Sequence, residues 1–104
     1  MADFKRYKKL LLPQTTALLI IDVQERILPV INNHQTVVQN TLKLIKGFKV
    51  MGLPVYYTEQ YPKGLGRTTP AIVDQVGSAL PIEKMRFTAV DEKIVQALTQ
   101  EKIT

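Results

Sequence analysis

The chain has 104 residues, of which 45% are hydrophobic and 22% are charged, values typical of one small globular domain. No apolar run approaches the roughly 20 residues that a membrane-spanning helix needs. The absence of cysteine excludes disulfides, thiolate metal sites and a cysteine nucleophile within these residues. The single histidine, His34, lies among amide side chains at a predicted helix start, and we interpret it as a solvated residue.

The net charge of +5 is concentrated at the N-terminus, where four basic residues against one acidic residue give +3. These residues are Asp3, Lys5, Arg6, Lys8 and Lys9. We interpret residues 1–13 as a basic, solvated leader that packs its three leucines against the domain. Its apolar part is too short for a signal-peptide core. Aromatic residues interleave with the basic ones, so contact with RNA or a membrane is an alternative. Our expectation is a cytoplasmic protein with neither a nucleic-acid nor a membrane partner.

The first predicted strand covers residues 16–21, an apolar run that leads directly into Asp22. An uninterrupted aliphatic run is typical of a strand that is buried on both faces of a parallel sheet. Ligand crevices in such sheets lie beyond the carboxyl ends of the strands, which makes Asp22 a candidate site residue. The equally weighted alternative is that Asp22 caps a short helical turn over residues 23–28, which Pro29 closes.

A long amphipathic helix is predicted over residues 35–51, with Asn32 and Asn33 as N-cap residues and Gly52 just beyond the C-terminus. The second predicted strand covers residues 53–58 and also runs into polar residues. Its position after the helix completes a βαβ unit.

Glycine and proline then predict a loop over residues 61–67, followed by a short helix with Thr69 as the N-cap and Pro70 as its first residue. A third strand is predicted over residues 80–84, and Asp91 is the predicted cap of a last helix. This β-α-β-(α)-β-α order indicates an α/β protein with a parallel sheet and right-handed crossovers. Gly64 and Gly66 lack the third glycine of a dinucleotide-binding turn and indicate a flexible loop instead.

Asp22 and Lys84 stand at the ends of two predicted strands, so both belong to the same edge of the sheet. A carboxylate and an ammonium that meet in a crevice can keep each other charged and tune each other's protonation. A plain structural salt bridge is the alternative, and position alone favours it. In either case we expect the two side chains to lie within direct or one-water hydrogen-bonding reach.

Three motifs resemble those of the isochorismatase-like cysteine hydrolases, in particular the isochorismatase-domain-containing branch. They are Leu-Leu-Ile-Ile-Asp22-Val-Gln24-Glu-Arg, Thr58-Glu-Gln60-Tyr61-Pro62-Lys-Gly64-Leu-Gly66 and Ile82-Glu-Lys84-Met-Arg-Phe87-Thr-Ala89. Their order and spacing agree with that family, and the resemblance covers nearly the whole chain from Thr16 onward. Three motifs in register are far more specific than any one of them alone.

The resemblance implies a three-layer α/β/α, Rossmann-like fold on a six-stranded parallel sheet, of which this chain is the first half with about three strands. It also implies an Asp-Lys-Cys triad in which Asp22 draws the proton from the nucleophile. Lys84 would stabilise the thiolate and the developing negative charge. The cysteine belongs to a fourth strand that this chain does not contain, and family members that cleave isochorismate itself lack that cysteine. Gln24, Gln60, Tyr61 and Phe87 are candidates for the substrate pocket wall, although Tyr61 and Phe87 fit core or rim packing equally.

The expected function is hydrolysis of a small amide, nitrile or vinyl ether, without a cofactor. We expect no catalytic metal, because the segment after the second strand has none of the histidines that hold a metal in the nicotinamidase branch. A non-catalytic, oligomerising pseudoenzyme or regulatory member of the same fold is the alternative, and a small basic binding domain is a third reading. Because the first strand is apolar throughout, we also expect residues 1–104 to be an incomplete folding unit. Either a second chain with the C-terminal half or a homo-oligomer would complete it.

Overall fold

The computed structural model describes residues 10–77, 79–89 and 92–103, and within these ranges the chain forms three strands and four α-helices. They are β1 (Leu18–Ile21), α1 (His34–Val50), β2 (Val55–Gln60), α2 (Pro62–Leu65), α3 (Pro70–Val76), β3 (Ile82–Lys84) and α4 (Glu92–Gln100). Single 3-10 turns occupy Pro13–Thr15 and Leu28–Val30. None of the described helices is both long and apolar enough to cross a bilayer. The basic residues of the predicted leader and the predicted cap Asp91 lie outside the described residues. The three leucines of the leader are described, and they are exposed rather than packed against the domain as predicted.

The three strands form one parallel sheet in the order β1-β2-β3, which confirms the predicted α/β class. The register places Ile20 beside Tyr57 and Gln60 beside Lys84. The side chains of α1 and α3 pack with Ile20 and Tyr57 on one face of the sheet. On the opposite face, the hydroxyl of Tyr56 donates a hydrogen bond to the carbonyl of Ala97 in α4. Helices therefore lie on both faces, which gives the α/β/α layers.

The core consists of aliphatic side chains from the sheet and its two covering helices around one tyrosine. Its buried members are Ile20, Ile45, Tyr57 and Ile72. Ile45 belongs to the apolar stripe of α1 that the helical spacing predicts, and Ile72 is the buried residue of α3. The Tyr57 hydroxyl donates to the carbonyl of Ala79, so its polar end is satisfied within the packed layer.

Several predicted boundaries differ from the structure. Strand β2 begins and ends two residues later than predicted, because the polar ends of Glu59 and Gln60 find partners inside the protein. The predicted loop over residues 61–67 contains the single helical turn α2. Asn33 does precede α1, but it has a left-handed backbone (φ 58°) and makes no side-chain cap.

Strand β1 has one unpaired edge among the described residues. The N–H of Leu18 donates to the carbonyl of Pro54, and the N–H of Asp22 donates to that of Thr58. In a parallel ladder alternate residues bond to opposite sides, so residues 17, 19 and 21 direct their N–H and C=O groups away from β2. Ile21 is half exposed, and Ile20 is the buried residue of this strand. The first strand is therefore less enclosed than its uninterrupted apolar sequence predicts.

Candidate active site

Asp22 directly follows β1 and has a positive φ of 57°, which is uncommon for a residue with a side chain. Aspartate tolerates this left-handed conformation better than most residues. Its carboxylate does not cap the following turn. Oδ1 accepts a hydrogen bond from the Thr58 hydroxyl at 2.7 Å, and Oδ2 accepts one from Lys84 Nζ at 2.8 Å. The sharp backbone turn thus directs the carboxylate across the ends of β2 and β3.

Lys84 is the last residue of β3, and its side chain is only 1% exposed, whereas that of Asp22 is 21% exposed. The expected direct contact between the two side chains is therefore present, with Asp22 as the member that solvent or a ligand can reach. A buried ammonium is costly unless it is paired and hydrogen-bonded. Here the carboxylate supplies the opposite charge, and other oxygen atoms complete the environment of Nζ.

Gln60, the last residue of β2, provides one of those oxygen atoms. Its Oε1 accepts a hydrogen bond from Lys84 Nζ at 2.8 Å, and its Nε2 donates to the carbonyl of Met85 at 3.1 Å. The backbone carbonyls of Arg86 and Phe87 also accept from Lys84 Nζ. Gln60 was expected at the pocket wall, and the structure places it in direct contact with the lysine.

Gln24 lies beneath this site and has no exposed surface. Its Nε2 donates to the carbonyls of Gln60 and Gly66, while its Oε1 accepts from the N–H of Gln60. The side-chain amide therefore pairs with both backbone groups of the last residue of β2 and ties that residue to Gly66, which follows α2. Gln24 was expected at the pocket wall, but within the described residues it supports the site from inside and does not line a surface.

Tyr61 and Phe87 lie at the outer side of the site. Tyr61 is 45% exposed and Phe87 is 94% exposed. Tyr61 has a positive φ of 40°, and its ring lies so close to Gly64 that a Cβ at position 64 would overlap it. Glycine at this position is what allows the ring to fold back over α2. Both aromatic side chains are thus available to a ligand or to another part of the protein, which agrees with a rim position.

A second ion pair network fixes the loop beside the site. Arg67 Nη1 lies 2.9 Å from Glu59 Oε1 and 3.0 Å from Glu83 Oε2, and the N–H of Thr68 donates to the other oxygen of Glu59. Burial by itself would raise the pKa of the Glu59 carboxyl, but the Thr68 N–H and the Arg67 guanidinium bring this pKa below its usual value. The network joins β2, β3 and the segment before α3.

Thr58 and the carbonyls of Arg86 and Phe87 are the site groups that sequence reasoning did not assign. The register pairs Thr58 with Ile21, so its hydroxyl stands next to Asp22. That register is not readable from the sequence, and a backbone carbonyl leaves no signal in residue identity. Among the described residues, no group of three or more histidine, cysteine or acidic side chains is positioned to hold a metal ion.

A cavity of about 1000 Å³ lies between the outer side of β3 and the start of α4. Its lining includes Glu83, Lys84, Arg86 and Lys93 but not Asp22. The cavity thus borders the lysine of the pair and not its carboxylate.

The comparisons with known proteins agree with this architecture. The family model for the Isochorismatase domain matches residues 16–104. Isochorismatase domain-containing protein 1 from Salmo salar is 36% identical over 90 residues, which are 86% of this chain and 31% of that protein. The chain spans about a third of the length of such curated relatives.

Solved structures give the same result. The structure of MAR1 ribonuclease from Caenorhabditis elegans superposes with a TM-score of 0.78 at 29% identity, over 88% of this chain and 47% of that chain. A structure from Leishmania donovani has a TM-score of 0.72 at 35% identity, over 85% and 48% of the two chains. With its parallel sheet, its layered helices and a family match over most of its length, the chain belongs to the isochorismatase family.

Proposed function

We propose that this chain supplies the acid–base and electrostatic half of an isochorismatase-type hydrolase site. The observation that carries the proposal is the Asp22–Lys84 pair, a 2.8 Å contact between a partly exposed carboxylate and a buried ammonium at the carboxyl edge of a parallel sheet. A carboxylate that is fixed by two hydrogen bonds and still partly exposed is suited to exchange a proton with a neighbouring group. A fixed cation beside it stabilises negative charge that develops nearby.

The proposed reaction is attack on a small amide, nitrile or vinyl ether. For an amide or nitrile, Asp22 takes the thiol proton of a cysteine on the complementary half, and the resulting thiolate attacks the electrophilic carbon. For an amide, the proton held by Asp22 passes to the departing amine and a thioester is left; for a nitrile, it passes to the nitrogen and gives a thioimidate. Water then attacks this intermediate with Asp22 as the base. The thioimidate loses ammonia to give the thioester, and the thioester releases the acid as the proton held by Asp22 returns to the sulfur.

Where the complementary half has no cysteine, Asp22 acts in its protonated form and donates its proton to the terminal carbon of a vinyl ether. Water adds to the resulting cation and returns a proton to Asp22, and the hemiketal formed breaks into a ketone and an alcohol. Lys84 acts through its positive charge in each case.

The proposed partner is a polypeptide with the later strands of the domain, or a second copy of this chain that covers the same edge. The open edge of β1 and the half-exposed Ile21 support this proposal, because an unpaired strand edge is a template for another strand. The substrate pocket would then form between Asp22 and the added strands. We propose a cytoplasmic location for the assembly.

The test is reconstitution. The chain is co-expressed with the remaining part of the isochorismatase domain of a relative, and the complex is assayed against panels of small amides, nitriles and vinyl ethers. We expect activity from the complex and none from this chain alone. Asp22→Asn should lower it by at least about 100-fold, in the range for loss of general acid–base catalysis. Asp74→Asn is the matched control, since Asp74 lies on the exposed side of α3.

A complex that assembles without turning over any of these substrates favours the alternative, a pseudoenzyme or regulatory subunit. RNA cleavage is a second candidate, because the Caenorhabditis elegans structure is named a ribonuclease and the present chain has a net charge of +5. It is tested by including a labelled single-stranded RNA in the same panel. Cleavage that Asp22→Asn leaves intact would be attributed to a contaminant.

A further inference from the structure

The ammonium of Lys84 is surrounded by four oxygen atoms. Asp22 Oδ2 and Gln60 Oε1 lie at 2.8 Å, and the backbone carbonyls of Arg86 and Phe87 lie at 3.0 Å. An ammonium has three N–H donors and no acceptor, so these four acceptors already use every donor. With the side chain only 1% exposed, no donor is left for a fifth group.

Two of the four oxygens belong to the backbone immediately after Lys84 itself. The third carbonyl of this segment, that of Met85, accepts from Gln60 Nε2. Three consecutive carbonyls at residues 85–87 are thus directed inward, while the Phe87 side chain points into solvent. This segment lies between β3 and α4 and has no regular ladder or helix of its own, so its path depends on these hydrogen bonds.

We propose that Lys84 is a positioning residue that acts as a tethered cation. Its ammonium joins the Asp22 carboxylate and the carbonyls of Arg86 and Phe87 into one ordered unit, and it acts on a ligand through this unit without touching the ligand. The aromatic rim residue Phe87 is thereby held at a set position relative to Asp22. This inference rests on the proposed function for the site that it describes. Its test measures backbone order and not turnover, so the inference and the proposed function can fail independently.

The proposal makes a specific prediction for variants that remove the charge. Lys84→Ala removes the atoms from Cγ to Nζ, which are the heavy atoms of propylammonium, and leaves an oxygen-lined space of that shape. Lys84→Met removes the charge but fills most of the space. Added propylammonium should therefore restore the ordered unit in Lys84→Ala and not in Lys84→Met. Tetramethylammonium, which has no N–H to donate, should restore neither.

Backbone ¹⁵N relaxation at residues 85–87 and the ¹³C shifts of the Arg86 and Phe87 carbonyls provide the measurement, on the full chain in its assembled form. In the wild type we expect order parameters near 0.85, as in rigid backbone, and in both variants a fall below about 0.6. Propylammonium should restore the rigid value in Lys84→Ala. Lys49→Ala is the control, since Lys49 also donates to a backbone carbonyl, that of Gln75, but at an exposed position.

Order parameters and carbonyl shifts that are unchanged in both Lys84 variants would overturn the proposal, as would the lack of any rescue in a folded Lys84→Ala. Where neither variant folds, the wild-type ammonium gives the answer in a ¹⁵N spectrum of the lysine side chains. The N–H protons of Lys84 should exchange with water far more slowly than those of the exposed Lys43 and Lys46. Equal exchange rates would refute the four-oxygen enclosure.

Discussion

The open edge of β1 is the surface at which we propose that a further strand binds, and Leu19→Pro tests this directly. The N–H of Leu19 points away from β2, so a proline at this position removes a donor from the open edge and leaves the β1–β2 ladder intact. Proline is tolerated in a strand where the lost N–H faces outward. Leu19→Ala is the matched control, because it shortens the side chain and keeps the N–H.

The magnitude follows from the number of groups on that edge. Residues 17, 19 and 21 offer three N–H donors, and each hydrogen bond to a partner strand contributes about 1 kcal/mol net. Loss of the donor at Leu19 should therefore weaken association roughly fivefold. Ile21, which is 50% exposed, adds an apolar contribution of about 1 kcal/mol when a partner covers it, and this part is the same in both variants.

Hydrogen exchange and sedimentation provide the assay. In the chain alone, the amides of Leu19 and Ile21 should exchange rapidly, while those of Ile20 and Asp22 are protected by β2. Addition of the complementary half, or self-association at high concentration, should protect Leu19 and Ile21 as well. A soluble monomer in which the Leu19 and Ile21 amides are already strongly protected would show that the edge is not open and that the reasoning is wrong.

Three further predictions concern stability and metal content. The Glu59 carboxyl has a lowered pKa in the folded state, so its stabilising contribution is present above its unfolded pKa of about 4.5 and is lost as the pH falls through the folded value. The melting temperature should thus fall on acidification, and it should fall less steeply in Glu59→Gln. An identical dependence of the melting temperature on pH in the variant would contradict the assignment. Ile45→Ala should lower the free energy of unfolding by about 2–5 kcal/mol, because Ile45 is fully buried. Leu44 is half exposed on the same helix, so Leu44→Ala should change the free energy of unfolding by no more than about 0.5 kcal/mol in urea titrations. Elemental analysis should find no stoichiometric zinc, and zinc with anomalous scattering beside Asp22 would disprove this.

Residue patterns alone predict the order of the elements and the identity of the central pair. Apolar runs and helical spacing place the strands and helices in chain order, because burial of a strand or of one helix face leaves a periodic pattern. The parallel topology follows from their alternation. Once the strands are parallel, their carboxyl ends share one edge, and Asp22 and Lys84 must lie at that edge despite a separation of 62 residues.

The hydrogen bonds that hold the site are evident only in the three-dimensional structure. Thr58 bonds to Asp22 because the strand register sets them side by side, and a shift of one residue would turn the hydroxyl to the other face. The positive φ of Asp22 and the inward carbonyls of Arg86 and Phe87 are backbone features. The residue type at a position does not reveal such features. Gln24 was expected to face a ligand and is enclosed instead, because its amide satisfies backbone groups that the end of β2 would otherwise leave unpaired. Hydrogen-bond partners of buried polar groups depend on three-dimensional proximity. The sequence therefore located the charged pair and Gln60, but not Thr58 or the backbone carbonyls that also bind the pair.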